Sequence, residues 1–186
     1  MAELGRTANS GRRRPEYREE SGSDLAVRAQ RYEPDALAQL HDQYFDRIYG
    51  FVFARVGNHE EAEEVTGQVF LRILDSLPRF RSGSAELGPW LYKIAQEVLT
   101  ARFPKPKAPA AGETAPGTPD GRLQGIREAI SELPEAQQTV LMLRLVGGLN
   151  AAQTAAATGR RTGTVLALQR RALKNLRSIL GRRRLL

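Results

Sequence analysis

Arg160, Arg161, Thr162 and Thr164 stand together near the C-terminal end of the chain. Arg170, Arg171, Lys174 and Arg177 follow at helical spacing. A guanidinium donates two parallel hydrogen bonds to guanine or to a phosphate, and a threonine hydroxyl bonds a base edge or a phosphate oxygen. The chemistry open to this cluster is recognition of a polyanion, not bond making. Its surroundings are free of competing acids. After Glu135 there is no Asp or Glu, while ten basic residues run from Arg144 to Arg184. The whole chain carries +7, so residues 1–135, with 18 Lys and Arg against 21 acids, sum to −3. The two ends of the protein therefore face different partners.

A second group has the opposite sign. Glu60, Glu61, Glu63 and Glu64 crowd one short stretch, with Gln68 one turn further on. Acids there suit the first turns of a helix, whose dipole favours negative charge. Other chemistries are excluded by what is missing. There is no cysteine, and His41 and His59 are the only histidines. Neither a metal-ligand spacing nor a nucleophile–base pair is present, and no glycine loop cradles a phosphate. No catalytic residue, metal or cofactor is expected. No apolar run suits a signal peptide or a membrane span, so a cytoplasmic protein with no membrane partner is expected.

Helices must display these groups. Ala36, Leu40, Tyr44 and Ile48 recur every four residues, followed by Phe51, Val52 and Arg55, as one stripe of a long helix closed by Gly57. Asn58 caps the acidic helix, whose buried face is Ala62, Val65, Val69, Ile73 and Leu77, with Pro78 ending it. A third helix is predicted to start near Pro89, with Trp90, Leu91, Ile94, Val98 and Leu99 on its apolar side. Later, Leu123, Ile126 and Ile130 mark one helix. Val140, Leu141, Leu143 and Leu145 mark another, broken by Gly147-Gly148. Asn150 caps a short Ala-rich helix ending at Gly159, and a long basic helix runs from about Gly163 until Gly181 stops it. A short helix, a tight turn and a longer basic helix make a helix-turn-helix, with Val165, Ala172 and Leu176 toward the core.

The predicted fold class is all-α: two small helical domains, an N-terminal bundle and a C-terminal helix-turn-helix domain, joined by a Pro-rich linker. Residues 1–23 are expected to be a disordered tail, 24–103 the bundle and 104–120 a flexible linker holding five Pro and two Gly. Residues 121–181 form the second domain and 182–186 a basic tail.

Leu133-Pro134-Glu135, Val140-Leu141-Met142-Leu143-Arg144, Gly148-Leu149, Ala155, Gly159, Gly163-Thr164-Val165 and Arg171-Ala172 follow in an order and spacing that resembles the C-terminal domain of bacterial RNA polymerase sigma factors of the extracytoplasmic-function kind. Glu61-Ala62-Glu63-Glu64-Val65-Thr66, with Val69-Phe70-Leu71-Arg72, resembles that family's polymerase-binding helix. Trp90-Leu91-Tyr92-Lys93-Ile94-Ala95 resembles the start of its −10 element helix. The resemblance spans about residues 30–180. It implies a factor that does no covalent chemistry, binds core RNA polymerase, brings it to promoters and helps open the duplex. Glu60, Glu61, Glu64 and Gln68 would then meet the polymerase. Trp90, Tyr92, Lys93 and Arg102 would lie toward the −10 element, with Trp90 mainly in the core. Arg160, Arg161, Thr162, Thr164 and Leu166 would meet bases, and Arg170, Arg171, Lys174 and Arg177 phosphates. Implied partners are core RNA polymerase, promoter DNA and an anti-sigma factor, and the free protein is expected to be a monomer.

The chain departs from the family pattern at Gly67, Glu97, Ala101 and Pro104, at Ala152-Gln153-Thr154, and at Leu166, Leu168 and Gln169. Leu168 buried with Gln169 exposed would restore the last helix by a slight rotation. Two other readings stay open. One is a degenerate sigma-like paralogue. The other is a stand-alone helix-turn-helix regulator with an N-terminal interaction domain, which would dimerise on symmetric half-sites.

Overall fold

The computed structural model describes residues 22–81, 86–103 and 119–183, with side chains of the last stretch from residue 125 onward. The predicted tail and linker lie outside the described residues, except that Gly22 and Ser23 open the first helix and Pro119 and Asp120 open the fifth. The described residues form α-helices and one 3₁₀ turn, with no strand. The protein is all-α, built as two small helical domains.

α1 (Gly22–Gln30) buries Leu25, Ala26 and Ala29. α2 (Pro34–Val56) starts on a proline and stops at Gly57, whose φ of 79° is left-handed and whose N–H bonds the Phe53 carbonyl. α3 (His59–Ser76) is capped by Asn58, whose Oδ1 accepts from the Glu61 N–H at 2.9 Å. A 3₁₀ turn at Leu77–Arg79 holds Pro78. α4 (Leu87–Arg102) begins two residues before Pro89, because proline's missing N–H is tolerated throughout a first turn. α5 (Pro119–Ser131), α6 (Glu135–Leu145), α7 (Ala151–Thr158) and α8 (Thr162–Arg182) form the second domain.

α8 runs one residue past Gly181, the predicted stop. The end is set instead by Arg183, which donates to Glu128 of α5 and to Glu132 just past that helix at 2.5 Å each and ties the domain's first helix to its last. Arg182 is thus helical, and 184–186 lie outside the described residues.

Leu40, Ile48, Val52, Val65, Val69, Ile73 and Leu91 form the centre of the first core. Ala129, Leu133, Leu141, Ala172 and Ile179 form a second, and Val140, Ala155 and Val165 a third. The first core does not end at the first domain. Met142, Leu143, Leu149 and Ala157 belong to it. α4 packs on α7, and α2 on α6. The periodicity of each half predicts two cores and is silent on this joint.

Candidate promoter and polymerase interface

The helix-turn-helix is set by local chemistry. Asn150 Oδ1 accepts from the Gln153 N–H at 2.9 Å, and Gln153 Oε1 accepts from the Asn150 N–H at 3.0 Å, a reciprocal capping box. Gly159, at φ 64°, ends α7 in the left-handed conformation. Arg161 is extended and α8 begins at Thr162. Val165 is fully buried with Val140 and Ala155, which fixes the rotation of α8. That rotation leaves Arg160, Arg161, Thr162, Thr164, Leu166, Arg170, Arg171, Lys174 and Arg177 all exposed. None of these cations pairs with a carboxylate among the described residues.

The departures at 168 and 169 resolve differently from a simple rotation. Both residues are half-buried. Leu168 packs on the Val140–Ala155–Val165 cluster. Gln169 Oε1 accepts from Arg144 Nε at 3.2 Å, and Arg144 Nη1 also donates to the Leu149 carbonyl at 2.6 Å. A polar residue therefore sits at the seam of α8 and α6 with its bond satisfied.

On α3, Glu60, Glu64 and Gln68 are exposed, and Glu61 is half-buried. Gln68 donates to Glu64 Oε1 at 3.2 Å. Arg102 grips Glu64 with both arms, Nη1 to Oε1 at 2.7 Å and Nη2 to Oε2 at 2.6 Å. That bond holds the Glu64 carboxyl below its usual range and raises the Arg102 guanidinium. Sequence reasoning assigned these two residues to different partners, and the fold joins them. Leu71, 65% exposed on the same helix, is a surface residue that the periodicity did not single out.

The residues predicted near the −10 element separate. Lys93 is exposed. Trp90 is half-buried with its ring 4.8 Å from Phe80, in keeping with a core role. Tyr92 is only 1% exposed, which corrects its placement among the side chains open toward the −10 element. Its ring meets Phe51 edge-on at 5.5 Å, and its hydroxyl donates to the Gly147 carbonyl of the second domain at 3.3 Å. Burial pushes that hydroxyl up to about 12.

Several residues at the joint were not foreseen as functional. Arg55, placed by periodicity on the α2 stripe, donates to Gln138 Oε1 and Glu135 Oε1, both at 3.3 Å. Gln96 donates to the Ala157 carbonyl at 3.3 Å. A cavity of about 280 Å³ lies between the domains, bordered by Phe51, Arg55, Gln96, Met142 and Arg160. Among the described residues no group of acids and histidines is placed to hold a metal, and no helix is long and apolar enough to cross a membrane.

An acidic helix on one domain and an open cationic helix-turn-helix on the other define a two-domain DNA-binding protein of the transcription machinery. The Sigma-70 region 2 family matches residues 40–103, and the Sigma-70, region 4 family matches 123–176. The ECF RNA polymerase sigma factor BldN of Streptomyces coelicolor is 31% identical over 171 residues, covering 84% of this chain and 65% of that protein. SigD of Mycobacterium tuberculosis, another ECF RNA polymerase sigma factor, is 32% identical over 161 residues, covering 77% of this chain and 76% of the relative. In fold, the chain is similar to CnrH in complex with the cytosolic domain of CnrY. The TM-score is 0.72 at 17% identity, over 87% of this chain and 98% of that one. RpoE bound to the anti-sigma factor NepR from Bartonella quintana gives 0.65 at 18% identity, over 77% and 96%. The chain belongs to the extracytoplasmic-function sigma factors, non-enzymatic initiation factors of bacterial RNA polymerase. Membership displaces the stand-alone regulator.

Proposed function

We propose that the two domains divide the work of a promoter-specific sigma factor between two oppositely charged helices. α3 presents Glu60, Glu61, Glu64 and Gln68 to a basic surface of core RNA polymerase, where complementary charge sets orientation and on-rate. The start of α8 enters the major groove of promoter DNA. There Arg160, Arg161, Thr162, Thr164 and Leu166 meet base edges, while Arg170, Arg171, Lys174 and Arg177 hold phosphates. Lys93 and Arg102 on α4 follow the strand near the −10 element, with Arg102 exchanging Glu64 for a phosphate. The protein works in the cytoplasm and is a monomer when free. An anti-sigma factor is a natural further partner, since RpoE is seen with one.

The observation that carries this reading is the row of exposed, unpaired cations beside the helix-turn-helix turn. It favours an intact promoter reader over a paralogue that keeps only polymerase binding. The test is affinity for core RNA polymerase, with Glu61→Lys plus Glu64→Lys as the charge reversal. Binding by the natural chain, weakened at least tenfold in the variant, is expected; equal affinities would remove α3 from the docking surface.

A further inference from the structure

The cavity bordered by Phe51, Met142 and Arg160 has no part in docking to polymerase. We infer that it is a binding site for a small amphipathic monoanion, an apolar body of fused-ring or medium-chain size ending in one carboxylate, and that such a ligand takes Arg160 away from the promoter. The effect on the promoter rests on the sigma reading, while the site itself stands on geometry and charge.

The size suits a small organic molecule. The cavity of about 280 Å³ lies at the foot of the range for such sites, which begins near about 300 Å³. Its walls are graded from dry to wet. Phe51, Leu99 and Met142 are buried and make the floor, with Ile130 half-buried beside them. Thr100 and Arg160 are exposed and stand at the mouth. An occupant therefore turns an apolar body inward and a polar end outward. The walls are also held in place. A Cβ on Gly50, in the middle of α2, would lie 3.1 Å from Val146 Cγ1. Arg55 reaches from α2 to Gln138 and Glu135, both at 3.3 Å. A preformed cavity lowers the ordering cost of binding.

Hydrogen bonding defines the polar end. Most polar groups around the cavity are already engaged. Gln96 donates to the Tyr92 and Ala157 carbonyls, and Gln138 to the Ser131 and Leu133 carbonyls. The Ser131 and Thr158 hydroxyls donate to the Glu128 and Thr154 carbonyls. Thr100, Thr139 and Arg160 are not engaged: their side chains have no hydrogen-bond or ion-pair partner among the described residues. All of them can donate, and one is a cation. The charges agree. Arg55 and Arg160 are the cations of the lining and Glu135 is its acid, and Arg55 already bonds Glu135. One positive charge is left over, on Arg160. A single carboxylate matches it, because it accepts two parallel bonds from a guanidinium. A phosphate dianion would leave a negative charge unmatched near Glu135.

Arg160 lies between the Gly159 cap and the start of α8, on the turn proposed to read bases. A guanidinium clamped on a carboxylate has no second fork for guanine. Ligand and promoter therefore compete for one side chain, and the ligand acts as a small-molecule repressor of promoter recognition.

The test uses the full chain with naphthoate and decanoate as probes, followed by ligand-observed NMR and calorimetry. Saturable one-to-one binding of at least one anion is expected, weakened at least about fivefold by Arg160→Ala, as for one charge-assisted bond at an exposed site. The neutral alcohols with the same bodies, naphthalenemethanol and decanol, are expected to show the same loss against the natural chain. Ala54→Leu, which fills the cavity from α2, is expected to abolish binding while circular dichroism still reports a folded chain. Should that variant unfold, Arg160→Ala, at an exposed position, still decides. No saturable binding of either anion overturns the site. Binding that neither substitution weakens lies elsewhere and overturns it too, and equal binding of the alcohols overturns the anionic class. Promoter-directed transcription with core polymerase is expected to fall at least about fivefold at saturating anion, the low end for one lost base contact. An unchanged rate would overturn the competition. A natural chain that directs no transcription even without the anion would overturn the sigma reading, with the binding result standing on its own.

Discussion

α4 and α8 are both assigned to promoter DNA, and they stand in opposite conditions. α8 and the turn before it keep the side chains proposed to read bases and hold phosphates in water, and Arg160, Arg161, Arg170, Arg171, Lys174 and Arg177 pair with no carboxylate among the described residues. α4 lies under α7, with Tyr92 buried and Arg102 tied to Glu64. On the proposed roles, the difference follows from what each helix would recognise. A duplex is always available to a cationic helix, and an exposed face suffices. Unpaired strands exist only after polymerase acts, so an aromatic face kept open beforehand would only invite unspecific contact.

The largest effect expected from breaking this contrast is on stability. Tyr92→Ala removes a buried ring and should cost about 3–5 kcal/mol, measured by urea unfolding; Tyr92→Phe should cost only about 1 kcal/mol, for the bond to Gly147. A Tyr92→Ala protein as stable as the natural one would mean that α4 is open after all. Next comes α8. Arg160→Ala with Arg161→Ala should lower transcription from a cognate promoter at least about tenfold, at roughly 1–3 kcal/mol for each base contact. Polymerase affinity should stay unchanged, and a parallel loss of it would blur the division between the helices.

Leu166 sharpens the contrast further, as an exposed apolar residue on the turn proposed to read bases. In the proposed docking it would meet a thymine methyl, worth about 0.8 kcal/mol or roughly fourfold in affinity. Deoxyuridine in place of the contacted thymine should cost that much with the natural protein and nothing with Leu166→Ala. A cycle in which the two changes simply add would separate Leu166 from the methyl. The mildest effect concerns pH. The Tyr92 hydroxyl has its ordinary value of 10 in the unfolded chain and about 12 when buried. The unfolded chain therefore loses this proton first as pH rises. Stability owed to the neutral buried ring is complete below 10 and is lost between about 10 and 12. Urea midpoints across that window should fall more steeply for the natural chain than for Tyr92→Phe.

The helices and the helix-turn-helix were legible because their signals are local. Asn58, Gly57, Asn150 and Gly159 mark helix ends within one turn of themselves, and the structure places them as caps. The joint was not legible. Arg55 and Gln138 are 83 residues apart, and no periodicity links them. Gly50, a glycine inside a 23-residue helix, was the one available sign. The same limit explains Tyr92: it was read toward the −10 element, and nothing local showed that the second domain would cover it. Gln169 shows the converse. It broke the core pattern, and its partner Arg144 lay 25 residues away on another helix.

The unpaired cations of α8 also make the protein sensitive to the ionic content of the cell. If Arg170, Arg171, Lys174 and Arg177 each neutralise one phosphate, each releases condensed counterions, and log K should fall with log salt at about −0.9 per contact. Four such contacts make a doubling of intracellular salt worth roughly a tenfold loss of DNA affinity. Promoter occupancy would then follow osmotic conditions directly, with no ligand and no change of shape.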